Sequence, residues 1–380
     1  MAQWLPPLRL FGAGVLRDGR LETQPITLAA GRIAEGQAPQ VDLSGYLVLP
    51  GIVDLGGAPL AQQDGASVFP DTYDLDERDK EAAANGVTTA WIAQAWSWEA
   101  PEVAPARATE IAATWAQKRE TFLTDLRLEL RLEIHMPETA DDVLNAVEAY
   151  GIDKVVFYDA VTPILEGRGD ARHAGMKDVF HEASVLRDMV APMVPRHLCR
   201  LAAFFDDLGV IFGSFADPDA ETRERFSMIG ARLAATPLSR NGAASAGAME
   251  DPVTMPAPDV LRGHAGATRI GARDLLEDGL CSVLVSDGTP AALCAAAFAL
   301  VDDGWEIGRA WDLISGAPAK IMRLPDRGQL GENDRADVTI VNARTRRVEA
   351  TISGGALSHL SGQAALRFMA AMPSVRIAAE

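Results

Sequence analysis

Four acidic residues at or just past the ends of short apolar segments are the strongest candidates for chemistry in this sequence. They are Glu133, Asp159, Asp217 and Asp287. Carboxylates brought together in a folded site can act as general acids and bases, or can hold a divalent cation through oxygen. A group of acids without histidine favours Mg²⁺ or Ca²⁺. The alternative is that these acids are remnants of a site that no longer functions, or that they serve only as helix caps and turn residues, which are common uses of aspartate.

The elements that position these acids are eight short apolar segments that alternate with longer segments of helical periodicity. This pattern predicts βα units, a parallel sheet and, from the number of strands, an α/β fold of the (β/α)8 TIM-like barrel class. Barrel chemistry takes place at the carboxyl ends of the strands, where the four acids lie. The predicted strands are 51–55, 88–94, 126–134, 154–160, 210–216, 232–238, 252–258 and 281–287.

The two ends of the chain have the short alternating pattern of antiparallel strands, so we expect them to pair into a small β-sandwich. We assign 1–49 and 326–362 to this sandwich, 50–325 to the barrel and 363–380 to a C-terminal helical tail. Segment 240–249 is rich in Ala, Gly and Ser, which predicts a mobile loop over the barrel mouth. Trp91 is expected in the core.

Composition limits the partners. The net charge of −18 over 380 residues disfavours nucleic acid and anionic lipid, and an anion site needs local cations to reverse the average field. The sequence shows neither an apolar run of about 20 residues nor a signal-like start, which predicts a cytoplasmic protein that is not in a membrane. Three scattered cysteines predict reduced thiols.

Two segments at opposite ends of the barrel carry a resemblance. Segment 49–54, Leu-Pro-Gly-Ile-Val-Asp, resembles the entry to the barrel of the amidohydrolase superfamily, and segment 328–338 resembles its exit. Within that superfamily the chain resembles the phosphonate-utilisation (C–P lyase pathway) diphosphatases, which remove pyrophosphate from a ribose methylphosphonate triphosphate. This likeness rests on 128–133, 155–159, 257–263, 286–290 and 317–328. The resemblance implies a two-metal site at the carboxyl ends of the strands.

The sequence departs from the metal-binding pattern that the resemblance implies. The first strand should end Asp-x-His-x-His or Asp-x-His-x-Asp, but Asp54 is followed by Leu-Gly-Gly-Ala at 55–58. Ala160 and Phe215 stand where the family places two further histidines, and neither side chain can coordinate a metal. The sequence therefore predicts no cofactor or a single weakly bound divalent metal, with metal-dependent hydrolysis weak or absent.

The resemblance also assigns roles to the residues that survive. Asp287 matches the final-strand aspartate that serves as general base, and we predict Asp287 and Glu133 as catalytic residues. Asp159 and Asp217 are predicted as weak metal ligands. Two residues of a glycine-rich loop, Arg262 and His264, are predicted to bind the substrate, the arginine through bidentate hydrogen bonds to phosphate.

Three further side chains can contribute at the barrel mouth. His135 follows Glu133 by two residues, so it lies on the same side of an extended segment and is either a replacement ligand or an ordinary loop residue. Trp96 and Trp98 are expected to line the mouth with flat apolar surface.

Three functions stay open on these residues. The first is a metal-dependent hydrolase that uses the surviving carboxylates, and the second is a pseudoenzyme that binds a ligand or a partner protein. The third is an enzyme with metal-free acid/base chemistry in which Asp287 and Glu133 take opposite protonation roles. We favour an amidohydrolase-like barrel with a degenerate metal site and a small, phosphorylated ligand; self-association into a homo-oligomer stays open.

Overall fold

The computed structural model describes residues 5–56, 71–167, 177–263 and 269–371, and its strands form three sheets. The strands before the barrel are β1 (Leu8–Phe11), β2 (Gly14–Arg17), β3 (Arg20–Glu22), β4 (Ile26–Ala29), β5 (Arg32–Ala34), β6 (Gln40–Asp42) and β7 (Tyr46–Pro50). The barrel strands are β8 (Ile52–Asp54), β9 (Val87–Trp96), β10 (Asp125–Glu133), β11 (Lys154–Tyr158), β12 (Ile211–Phe215), β13 (Leu233–Ala235), β14 (Val253–Pro256) and β15 (Val283–Val285). The last strands are β16 (Val338–Asn342), β17 (Val348–Ser353) and β18 (Ala356–Leu360).

Helices follow the barrel strands and cover the barrel. The described helices are α1 (Asp71–Ala84), α2 (Pro105–Lys118), α3 (Ala140–Tyr150), α4 (Val161–Leu165), α5 (Lys177–Met189), α6 (Val194–Leu208), α7 (Ala220–Met228), α8 (Arg240–Ala248), α9 (Ala257–Arg262), α10 (Ala272–Glu277), α11 (Ala291–Asp302), α12 (Ile307–Asp312), α13 (Gly316–Ile321) and α14 (Gly362–Ala371). Among the described residues, no helix is long and apolar enough to cross a membrane.

The two chain ends build a β-sandwich, as predicted. One sheet has the order β5-β4-β1-β6 and the other β18-β17-β16-β7-β2-β3. Strand β16 runs antiparallel to β7, with Val338 opposite Pro50, so the segment that leaves the barrel pairs with the segment that enters it. Leu10, Val48 and Phe368 of α14 are buried in the apolar core of this sandwich.

The barrel sheet has the order β8-β9-β10-β11-β12-β13-β14-β15, and its strands are parallel. Its first and last strands meet at their carboxyl ends, where the Ser286 N–H donates to Asp54 Oδ1 at 3.0 Å and the Asp287 N–H donates to the Gly56 carbonyl at 2.9 Å. The eight strands thus form a nearly closed barrel, and the predicted fold class is confirmed.

Strand β10 shows how the sequence divides the inside of the barrel from its outside. The leucines at even positions pack in the core between the sheet and the helices, so the charged residues at odd positions face the lumen. Lys154 of β11 is buried there and donates from Nζ to Glu129 and to the carbonyl of Leu55. These lumen-facing residues of β10 are Asp125, Arg127, Glu129, Arg131 and Glu133.

Two local predictions are wrong. Segment 240–249 is helix α8 and not a mobile loop: the Ser239 hydroxyl oxygen caps it by accepting the Gly242 N–H at 3.1 Å, and Ala243 and Ala246 are fully buried. The small residues allow close packing of the helix. Trp96 does not line the mouth, because it is only 1% exposed and packs in the apolar core. Trp91 is buried, as predicted.

Candidate functional site

Three side chains meet at the carboxyl ends of β10 and β11. His135 Nδ1 lies 2.9 Å from Glu133 Oε1 and 3.9 Å from Asp159 Oδ1. The backbone N–H groups of His135 and Ala160 also donate to the Glu133 carboxylate, at 2.8 and 3.3 Å. The Glu133 side chain is fully buried, whereas Asp159 is about one-third exposed. The group therefore has a buried floor and an opening to solvent at Asp159.

The charges of this group are coupled. Burial raises the pKa of Glu133, although the hydrogen bonds from His135 partly oppose that rise. Burial alone would lower the pKa of His135, but the hydrogen bond to Glu133 and the charges of Glu133 and Asp159 outweigh it, so the pKa of His135 is raised. A proton on Nδ1 bonds to Glu133 and leaves Nε2 available. The pair can therefore act as an imidazole base oriented by a carboxylate.

A tyrosine and a glutamate extend the group, and sequence reasoning missed both. The Tyr158 hydroxyl donates to Glu99 Oε2 at 2.8 Å, and the Ser97 hydroxyl donates to the same oxygen at 2.8 Å. Burial, followed by the charge of Glu99, raises the pKa of Tyr158 well above its ordinary value. Tyr158 thus stays a neutral hydrogen-bond donor. Side chains alternate along β11, so Tyr158 faces the lumen like Lys154. That alternation was the signal in the sequence that could have identified Tyr158.

The end of the first barrel strand is built without room for a ligand. Asp54 is buried, and its Oδ1 accepts the N–H groups of Gly56 (3.2 Å) and Ser286 (3.0 Å). Burial raises the pKa of this carboxyl group. A Cβ atom on Gly56 would lie 2.9 Å from Val285 Cβ, closer than real Cβ contacts. Gly56 stands where the resemblance implies a histidine, and that space is filled by Val285.

The lumen below and beside that position is also occupied. The buried Lys154 ammonium bonds to the Leu55 carbonyl, so a positive charge lies directly under the end of the first strand. Phe215 stands at another implied histidine position, and the Arg131 guanidinium covers its ring with 4.6 Å between the guanidinium carbon and the ring centroid. Both cations pair with the one buried carboxylate of Glu129, so the three side chains together carry a net positive charge, which opposes the binding of a metal ion nearby.

Asp217 is engaged elsewhere. Its Oδ2 lies 2.6 Å from the Ser214 hydroxyl and 3.2 Å from Arg223 Nη1, and both charged side chains are buried. Its other oxygen, Oδ1, has no hydrogen-bond partner among the described residues. Asp217 does not belong to the group of Glu133, His135 and Asp159. Its predicted role as a metal ligand stays a prediction, beside an observed role as the partner of Arg223.

The other predicted residues lie apart from that group. Asp287 is exposed in the turn after β15, with a left-handed φ of 48° that is unusual for a residue other than glycine. Strand β15 lies three places from β10 around the barrel, through β8 and β9. Arg262 is exposed at the end of α9. His264 lies outside the described residues.

The positions of the candidate ligands decide whether one metal ion or two fit at the carboxyl ends of the strands. Two ligands of one ion, each about 2.0–2.5 Å from it, are at most about 5 Å apart. One ligand atom from each of Glu133, His135 and Asp159 lies within 4.8 Å of the others, so the three residues fit one divalent cation. The two-metal set does not fit, because Val285 fills the first-strand position and Ala160 offers no donor.

No family model matches the chain. Over 99 residues the chain is 34% identical to the α-D-ribose 1-methylphosphonate 5-triphosphate diphosphatase of Escherichia coli strain K12. The matched stretch covers 25% of this chain and 26% of that protein, so the chain matches about a quarter of the length of this curated relative.

Solved structures agree with the chain over nearly its whole length. The β-aspartyl dipeptidase of Fervidobacterium islandicum AW-1 is 14% identical, with a TM-score of 0.63 and coverage of 94% of this chain and 97% of that one. The dihydropyrimidinase of Brevibacillus agri NCHU1002 is 13% identical, with a TM-score of 0.65 and the same coverage. An amidohydrolase from a Sargasso Sea sample is 13% identical, with a TM-score of 0.65 and coverage of 94% and 93%. The chain therefore has the barrel fold of the amidohydrolases.

Proposed function

We propose that the chain is an amidohydrolase-like protein of the phosphonate-utilisation diphosphatase type with a degenerate metal site. It binds a small, phosphorylated ligand at the carboxyl ends of the barrel strands, and metal-dependent hydrolysis is weak or absent. The diphosphatase type is supported by the 34% identity over 99 residues.

The observation that carries the proposal is the contact between Gly56 and Val285. A histidine can be absent from a metal site that is otherwise intact. Here, however, Val285 occupies the space that the histidine side chain would need, so the surrounding residues pack without that side chain. The Cβ distance of 2.9 Å and the buried Lys154 that bonds to the Leu55 carbonyl support the proposal that core packing replaces the first-strand half of the metal site.

The ligand binds, in this proposal, between Asp287 and the group of Glu133, His135 and Asp159. The His135 imidazole, held by Glu133, moves a proton at Nε2, and Asp287, after β15, is the second acid or base. Arg262 and His264 are the proposed contacts to phosphate. The acidic net charge of −18 makes these local basic groups necessary for an anionic ligand.

A second candidate is an active hydrolase that uses one divalent cation. The fit of Glu133, His135 and Asp159 to a single ion favours it. The metal, when bound, would supply a Lewis acid and a water of lowered pKa. The chain's own contribution is to hold the His135 ring in place through Glu133 and to leave Asp159 open to solvent.

The test measures pyrophosphate release from α-D-ribose 1-methylphosphonate 5-triphosphate with Zn²⁺, Mn²⁺ or Mg²⁺ and with chelator, together with binding of that compound by calorimetry. Our proposal predicts saturable binding with little or no turnover, and efficient metal-dependent turnover lost in Glu133→Gln would establish the second candidate instead. Activity that persists in chelator and is lost in Asp287→Ala would establish metal-free acid/base chemistry. Glu138→Gln, an exposed neighbour, is the matched control.

A further inference from the structure

A large cavity opens at the amino-terminal end of the barrel, far from the group at Glu133. It has a volume of about 1060 Å³ and lies between α12, α13, the turn between β2 and β3, and the segment 324–330. Small-molecule sites in proteins are of similar size, about 300–1,000 Å³. Arg327 lines the cavity next to the barrel, because it bonds to Asp125 and to Thr89, near the first residues of β10 and β9.

The charge of this cavity is opposite to that of the chain. Four basic and two acidic side chains line it. Arg327 is already paired with Asp125, which leaves three basic side chains against two acidic ones, although the whole chain has a net charge of −18. Such a local reversal of sign is what a site for a small anion requires. The four basic residues are Arg309, Lys320, Arg323 and Arg327, and the two acidic residues are Asp18 and Asp312.

Two of these arginines have features that protein contacts alone do not explain. The Nε atom of Arg327 is buried and has no hydrogen-bond partner among the described residues, and the Oδ1 atom of Asp326 lies 3.7 Å away from it. Arg323 is exposed and has a φ of 55°, in the left-handed region where glycine is favoured. It follows Met322, the C-cap residue of α13, and so takes a position where glycine is common. An arginine in a strained position on a cavity wall indicates a use for its charge.

The cavity also has an apolar side. Leu16, Leu324 and Pro325 line it beside the basic groups. The guanidinium of Arg309, another lining residue, stacks on the Trp305 ring with 3.9 Å between its carbon and the ring centroid. A ligand that matches this wall carries both a phosphate and an apolar or planar body.

We infer that this cavity is a second binding site, for a small organic phosphate of about nucleotide size. Lys320, Arg323 and Arg327 hold the phosphate, and the apolar wall receives the remainder of the molecule. The site does not depend on the function proposed above: Asp125 and Glu133 lie at opposite ends of β10, eight residues and about 26 Å apart.

The test is calorimetric titration with adenosine 5′-monophosphate as the probe. We expect saturable binding of one probe per chain, weakened about tenfold or more in Lys320→Gln/Arg323→Gly, because two of the phosphate contacts are lost. Arg323→Gly should leave the protein at least as stable to urea as the wild type, since glycine relieves the left-handed strain. A residue that only supports the fold would not show weaker binding together with retained stability.

The matched control is Arg346→Gly, which also removes an arginine from a left-handed position (φ 57°) but does not line the cavity. Arg346→Gly and Glu133→Gln should bind adenosine 5′-monophosphate with the same affinity as the wild type. Adenosine, which lacks the phosphate, should bind to the wild type at least about ten times more weakly than adenosine 5′-monophosphate. The inference is overturned if the probe does not saturate, if adenosine binds equally well, or if Glu133→Gln and not Arg323→Gly abolishes binding. Lys320→Gln alone, at an exposed position, repeats the test if the double variant does not fold.

Discussion

Adding a single methyl group at Gly56 tests whether the first-strand ligand position is closed. A Cβ atom there would lie 2.9, 3.1 and 3.2 Å from three carbon atoms of Val285, and Val285 is only 5% exposed. The φ of Gly56 is not in the left-handed region, so the expected cost is steric and does not come from backbone strain. Overpacking of this kind costs about 1–3 kcal/mol, so Gly56→Ala should lower the free energy of unfolding by about that amount.

The cost should fall in part when the opposing side chain is shortened, because Val285→Ala removes the two Cγ atoms at 3.1 and 3.2 Å but keeps the Cβ atom at 2.9 Å. Val285→Ala alone is expected to cost about 2 kcal/mol, because it removes two buried methyl groups. Gly56→Ala should therefore cost less in the Val285→Ala background than in the wild type, giving a coupling free energy of about 0.5–2 kcal/mol in a double-mutant cycle. Urea unfolding, compared through midpoints and slopes, measures all four proteins.

A matched glycine gives the control. At Gly247, on helix α8, an added Cβ would meet only the flexible end of Leu280 at 3.2 Å. Gly247→Ala should therefore be neutral or gain up to about 1 kcal/mol from helix propensity. If Gly56→Ala is as stable as the wild type, the space beside Val285 is open and our argument for the loss of the first-strand ligand fails.

Three further variants test the remaining electrostatic arguments. Glu133→Gln should lower the pKa of His135, followed by NMR titration of its ring protons in chelator, because the hydrogen bond and the charge that raise it are lost. In the wild type, the stabilisation from protonated His135 is present below the unfolded pKa of about 6.5 and is lost as pH rises through the higher folded pKa, so Glu133→Gln should flatten stability across that window. Asp217→Ala should lower the free energy of unfolding by about 1–3 kcal/mol, because Arg223 loses one of its two buried carboxylate partners and keeps Asp251; loss of a ligand-binding activity without loss of stability would instead favour its predicted metal role. Lys154→Met should lower the free energy of unfolding by about 3 kcal/mol or more, because Glu129 keeps its buried charge with only Arg131 beside it; an unchanged urea midpoint would show that the lumen pair contributes no net stability.

The fold was predictable because it depends on repeated local patterns. Apolar segments of strand length, separated by helical periodicity, predict a βα barrel whichever residues contact each other. Segment 240–249 escaped this reasoning because small residues are common both in mobile loops and in tightly packed helices. Only the burial of Ala243 and Ala246 distinguishes the two.

The site was predictable only in part. Glu133 and Asp159 were found because position at a strand end is a local property, and spacing of two residues placed His135 beside Glu133. Long-range partners were not predictable in the same way. The bond from Tyr158 to Glu99 joins residues 59 positions apart, and Lys154 reaches the carbonyl of Leu55 over 99 positions. Such pairs depend on how the barrel closes, which no local pattern specifies.

The most direct test of the central claim is the number of metal ions that the purified protein retains. After incubation with excess Zn²⁺ or Mn²⁺ and gel filtration, elemental analysis should give at most one ion per chain, and Glu133→Gln and His135→Ala should reduce that number. Two tightly held ions per chain, unaffected by these variants, would contradict the account, because they would require ligands around Asp54 that the packing of Gly56 against Val285 excludes.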